Sequence, residues 1–166
     1  NFTSRHYYKL SVLPEYQIDL QNDQRLTFRL GAAFDDTNRD DSQVSLIGDI
    51  TWDTINADDT SQTIYLSYAE ASQVAGYTAI GGSDSGGLFR SNYNLERETT
   101  KNIELGLALD RETWRLDSAI FYRQDNDLTD WTYSLSSTSA RSANPVDIDT
   151  LGLELLAVKR FDNAEI

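Results

Sequence analysis

The stretch from Asn94 to Leu107, NLERETTKNIELGL, changes character halfway. Asn94-Leu95-Glu96-Arg97-Glu98-Thr99 reads as a polar loop. Ile103, Leu105 and Leu107 then alternate strictly with Asn102, Glu104 and Gly106. Successive side chains of a β-strand point to opposite faces, so this run sets aliphatic residues on one face and a carboxylate and a glycine on the other. The same period of two recurs along the chain. Tyr8, Leu10, Val12, Pro14, Tyr16, Ile18 and Leu20 face away from Lys9, Ser11, Glu15, Gln17 and Asp19. Leu26, Phe28, Leu30, Ala32 and Phe34 oppose Arg25, Thr27, Arg29 and Asp35. Val44, Leu46, Ile50 and Trp52 follow, then Ile64, Leu66 and Tyr68, then Trp114, Leu116, Ile120 and Tyr122, then Leu151, Leu153 and Leu155.

These runs predict seven strands and no convincing helix; residues 68–74 have some helical propensity but lead into Gly76. Short turns are expected at Gln21-Asn22-Asp23 and Asp110-Arg111-Glu112. Residues 35–41 and 53–59 read as shorter loops. Residues 72–97 and 125–145 read as long ones. If consecutive strands are antiparallel, the short turns share one end of the sheet and the long loops the other. That is the layout of an outer-membrane barrel. The fold class expected is therefore all-β, an antiparallel up-and-down meander forming part of a transmembrane β-barrel with long extracellular loops.

A water-soluble sandwich also alternates, so period two alone does not decide between them. The polar face mixes charges strand by strand: Arg25 and Arg29, Asp49, Glu104, Arg115, Asp117 and Arg123, and Glu154. A wet lumen accounts for this mixture, and so does the outside of a sandwich. The apolar face carries Trp52, Tyr68, Trp114 and Tyr122 near strand ends, with Leu and Ile between. Aromatics at strand ends match the interfacial girdles of a barrel in lipid, whereas a sandwich core concentrates large residues nearer the middle.

Composition narrows the function classes. The chain has 166 residues, room for one ordinary domain. No run approaches the about 18 apolar residues that a spanning helix needs. A net charge of -13 argues against a basic patch for nucleic acid or anionic lipid. With no cysteine there is no disulfide, thiol nucleophile or Cys-zinc site. His6 is the only histidine, so a histidine metal cluster is excluded, and a Ser-His-Asp triad would depend on a residue at the terminus. Paired carboxylates such as Asp35-Asp36 and Asp40-Asp41 sit in polar loops and read as solvated. They lack the regular spacing of a calcium loop. Gly81-Gly82-Ser83-Asp84-Ser85-Gly86-Gly87 has no following lysine and reads as flexible loop, not a phosphate cradle. Neither an enzyme, a metal nor a cofactor is expected. The start at Asn1 and the strand that runs into Asp162-Asn163 suggest a processed product or a piece of something longer.

Three segments carry a family resemblance. Thr63-Ile64-Tyr65-Leu66-Ser67-Tyr68-Ala69-Glu70-Ala71-Ser72-Gln73-Val74-Ala75-Gly76-Tyr77 resembles the strand of TonB-dependent outer-membrane receptors that runs up into an extracellular loop. Asn92-Tyr93-Asn94-Leu95-Glu96-Arg97-Glu98 through Gly106 is similar to the loop that returns into the family's next strand. Ala119-Ile120-Phe121-Tyr122-Arg123-Gln124-Asp125-Asn126-Asp127-Leu128-Thr129-Asp130-Trp131 resembles a third family segment, and beside these three Asp149-Thr150-Leu151-Gly152-Leu153-Glu154-Leu155 is a weaker match to a further strand. Tyr93 and Arg97 stand where the family usually has proline, which is expected to leave the loop less rigid.

The resemblance implies residues 1–166 as a single segment of a barrel of about 22 strands, without its plug domain or final strands. It implies residence in the outer membrane of a Gram-negative bacterium, contact with outer-membrane lipid, and uptake driven by the TonB energy-coupling complex through the missing plug. Loop aromatics Tyr77, Phe89, Tyr93, Trp131 and Tyr133 become candidate contacts for a scarce small-molecule ligand. Siderophore, cobalamin, sugar and peptide receptors share these motifs. Arg25, Arg29, Asp49, Glu104, Arg115, Asp117, Arg123 and Glu154 would face the lumen and plug, and Gly106 would leave room for the plug. The alternative is a soluble β-sandwich module binding a ligand such as carbohydrate.

Overall fold

Alternation becomes one sheet in the computed structural model, which describes residues 4–55, 60–81, 88–134, 137–161 and 164–165. Its strands are β1 (Tyr7–Val12), β2 (Glu15–Asp19), β3 (Gln24–Thr37), β4 (Asp40–Ile55), β5 (Ser61–Val74), β6 (Phe89–Arg90), β7 (Arg97–Arg111), β8 (Trp114–Ser134), β9 (Ser137–Phe161) and β10 (Ala164–Glu165). The order β1-β3-β4-β5-β7-β8-β9-β10 is an antiparallel meander, with β2 also on β3 and the two-residue β6 parallel to β9. β1 and β2 keep one register against β3, Val12 opposite Ala32 and Glu15 opposite Arg29. They are one strand interrupted at Leu13-Pro14, where proline has no N–H to donate. Gly31 lies opposite that break. A Cβ there would sit 2.0 Å from the Val12 carbonyl oxygen, so the close approach requires glycine.

The strands outrun their apolar pattern. Residues 35–41, expected as a loop, are strand except for the turn at Asn38-Arg39. Of residues 125–145, expected as a long loop, 125–134 and 137–145 are the upper parts of β8 and β9, and residues 135–136 lie outside the described residues. Polar side chains suggested loops, but a ladder is held by backbone hydrogen bonds and needs no apolar face once it has left the lipid. A register shift at Asp125/Leu128 carries Asp127 at φ 55°, left-handed backbone that aspartate tolerates. The long connection 75–96 includes a short helix, α1 (Tyr77–Gly81), that the sequence pattern did not reveal. Of the expected 53–59 loop, residues 53–55 are the end of β4, and of the Gly-rich run Gly81 ends α1; residues 56–59 and 82–87 lie outside the described residues.

Burial is inverted relative to a water-soluble protein. Leu30, Leu151, Leu153 and Leu155 are 73%, 74%, 77% and 70% exposed. Thr27, Ser45 and Asp35, on the opposite parity, are 7%, 4% and 0% exposed. One open sheet with its aliphatic face outward is the wall of a transmembrane barrel, for which lipid is the solvent. The second sheet that a sandwich would need to cover those leucines is not formed among the described residues.

Candidate functional site

The polar face is built from cross-strand pairs. Arg25 and Asp19 face each other across β3 and β2 with Nε 2.8 Å from Oδ1. Arg29 and Asp49 do the same across β3 and β4 at 2.8 Å, and Thr51 donates to Asp49 at 3.2 Å. Arg115 pairs along its own strand with Asp117 at 2.7 Å, and Arg123 with Asp125 at 2.8 Å. Asp125 also accepts from the Thr100 hydroxyl at 2.6 Å. Glu104 accepts the Tyr65 hydroxyl at 2.6 Å. Glu154 stands opposite Ala119 and lines a recess of about 360 Å³ with Tyr65, Ala108, Asp117 and Leu156. All eight residues singled out for the polar face share one parity across the sheet.

Gly106 has a different role from the one expected. A Cβ at this position would lie 2.1 Å from Cζ of Tyr65, its direct cross-strand partner. The ring of β5 already fills the space assigned to a plug. Gly152 repeats the device beneath Phe121, 2.2 Å from its Cζ. A ring laid over a cross-strand glycine covers backbone that would otherwise be bare.

At the end bearing the long connections, the loop aromatics divide. Phe89 and Trp131 meet edge to face, centroids 5.1 Å apart. Trp131 packs on a small apolar cluster of Ala75, Ala79, Ile80, Leu95 and Ala143, which docks α1 onto the β8–β9 hairpin. Tyr93 lies under the Arg39 guanidinium at 4.6 Å, and Tyr77 under Arg5 at 5.9 Å. Tyr133 is exposed on the hairpin and joins neither group. The five candidates therefore share one end of the sheet without forming one surface.

Sequence reasoning missed the most buried charges. Arg97, 8% exposed, forms an ion pair with the fully buried Asp35. The Ser72 hydroxyl donates to the same carboxylate at 2.8 Å, and Arg97 Nε donates to the Asp41 carbonyl at 2.7 Å. Where the family's proline was expected to be missed as a stiffener, an arginine fastens the loop end. Its signal was the departure itself, a charged residue at a position that usually needs none. Beside it, Glu98 accepts from the Thr129 N–H at 3.0 Å and from Gln73. Burial pushes its carboxyl up, but the hydrogen bonds from Thr129 and Gln73 outweigh it and hold it below its ordinary value.

An open meander with an aliphatic outer face, an ion-paired inner face and elaborated connections at one end defines a segment of an outer-membrane-type β-barrel. The family model for the TonB dependent receptor-like β-barrel matches residues 3–164, and the chain belongs to that family. Among solved structures it is similar to one described as the copper transporter OprC, with a TM-score of 0.58 at 16% sequence identity. That alignment covers 95% of this chain and 27% of OprC, so the chain spans about a quarter of that protein's length. No curated protein matches the chain.

Proposed function

We propose that residues 1–166 are a wall segment of an outer-membrane receptor in a Gram-negative bacterium. Its loop end captures a scarce small molecule, and a TonB-energised movement of the lumen's contents admits it. The observation that carries this reading is the pairing of opposite faces: exposed leucines outward, and inward a row of arginines each neutralised by a carboxylate of the same wall. The arginines of that face are neutralised in place, while Glu104, which accepts only the Tyr65 hydroxyl, and Glu154 leave it with an excess of negative charge. Phe89, Trp131 and Tyr133 on the β8–β9 side, and Tyr77 and Tyr93 on the other, are the proposed ligand contacts, stacking being the chemistry that aromatic faces offer.

Copper is the cargo named for OprC, and it does not transfer readily to this segment. Copper(I) favours thiolate and thioether donors, and the chain has no cysteine, no methionine and one histidine. Ferric siderophores, cobalamin, sugars and peptides are the classes to assay. The test is uptake of a labelled panel, one compound of each class, by cells carrying the full-length protein, with and without TonB. TonB-dependent uptake of one compound, weakened by Tyr133→Ala, is expected. Uptake that persists unchanged without TonB would overturn the energised mechanism.

A further inference from the structure

The β4–β5 ladder stops early. It runs from Ile55/Ser61 to Ile47/Ala69 and no further, although β4 continues to Asp40 and β5 to Val74. Along this parting, backbone groups that a ladder would satisfy are taken by side chains. Glu70 accepts the Leu46 N–H at 2.9 Å, Gln43 donates to the Val44 carbonyl at 3.2 Å, and Arg5 donates to the Val74 carbonyl at 3.3 Å. Arg97 Nε takes the Asp41 carbonyl. Buried or edge backbone groups need such partners when the neighbouring strand leaves.

Parity shows what holds the parting open. Ser72 shares the outward parity of Leu66 and Tyr68 on β5, and Arg97 that of Ile103 and Leu105 on β7. Asp35 shares the inward parity of Arg29 on β3. In a continuous wall these side chains would project from opposite faces and could not touch. They form a buried cluster, so the upper β5–β7 ribbon has left the β4 edge and turned its outward parity onto the inward side chain of Asp35. The unused register is intact: one step beyond Ile47/Ala69, Leu46 would meet Glu70, then Ser45 would meet Ala71 and Val44 would meet Ser72.

We infer that the β4–β5 seam is a two-state closure of the barrel wall, with the Arg97–Asp35–Ser72 cluster as its catch. In the parted state the catch is engaged and Glu70 caps Leu46. In the zipped state the ladder continues upward, Glu70 releases Leu46 to a backbone partner, and the catch is broken. Packed elements with two discrete arrangements are what conformational switches are made of. The inference concerns this wall alone and stands whether or not the receptor reading of its cargo is right.

The experiment uses the full-length protein in its membrane with Ser45→Cys and Ala71→Cys. The segment has no cysteine of its own. In the zipped register these positions are directly opposite, within the about 4.4–6.8 Å Cα separation that a disulfide spans. After mild oxidation, free thiols are counted by maleimide labelling of the denatured protein, and heat-modifiable mobility reports folding. Both thiols should remain free with the catch intact, and both should be lost when Asp35→Ala and Arg97→Ala remove it, returning with reductant. A disulfide formed equally in both backgrounds, or in neither, overturns the proposal. Should the double variant not assemble, Asp35→Asn alone weakens the catch; partial thiol loss supports the closure and none overturns it. Because the readout is a bond within the wall, its failure is independent of any failure to find a transported ligand.

Discussion

At Gly106 the smallest side chain and one of the largest share a site. Tyr65 lies across the glycine and donates to Glu104 on the same face. Gly106→Ala drives a methyl into the ring and should cost about 1–3 kcal/mol through overpacking. Combining it with Tyr65→Ala should recover much of the loss, a coupling that a double-mutant cycle of unfolding free energies measures. One residue away, Leu105 is half exposed on the aliphatic face, which leaves a larger ring room to extend outward. Leu105→Phe should leave stability unchanged within about 0.5 kcal/mol, whereas Leu105→Arg should cost on the order of 2–4 kcal/mol near the midplane. Which face each residue takes was legible from alternation alone. That Tyr65 rather than a plug covers Gly106 was not, because it depends on register between strands 41 positions apart in sequence, and period two is blind to register.

Among the elements, β8 and β9 show where polarity misleads. Residues 125–145 carry aspartates, serines, threonines and a proline, and they nonetheless continue the ladder from Thr129/Pro145 to Thr132/Ser142. Above the lipid both faces of a hairpin meet water, so the alternation that marks a strand has no reason to persist. The anchors of this end were equally hidden, since Arg97, Asp35 and Ser72 come from three strands. Arg97→Met alone strands a buried carboxylate and should weaken the upper β3–β7 contact by about 3–5 kcal/mol, while Arg97→Met with Asp35→Leu should cost clearly less. Unfolding free energies of the full-length protein in lipid read both. Glu98 adds a pH dependence. Its folded-state pKa lies below its ordinary value of 4.5, so its contribution is complete above that value and is lost as pH falls through the lowered folded one. Protection of the Thr129 amide should decline with acid in the parent chain and stay level in Glu98→Gln.

On the scale of the whole molecule, one physical fact organises the rest: the aliphatic face is the exposed one. Meander order and the end that carries the elaborate connections could be read from apolar periodicity and turn residues, because the bilayer imposes that periodicity on every spanning strand; the seven runs did not show the break that divides the first of them into β1 and β2, nor the two-residue β6 and β10. Strand length and the parted seam could not, because they are set outside the bilayer by backbone pairing and buried charge. The most direct test of the lipid-facing assignment is a spin-label scan of β9 in the full-length protein reconstituted in lipid, comparing collision with oxygen, which concentrates in the bilayer, and with a water-soluble nickel chelate. Labels at Leu151, Leu153 and Leu155 should favour oxygen, and labels at Thr150 and Glu154 should favour nickel. Uniform accessibility along the strand, or nickel preferred at the three leucines, would contradict the account.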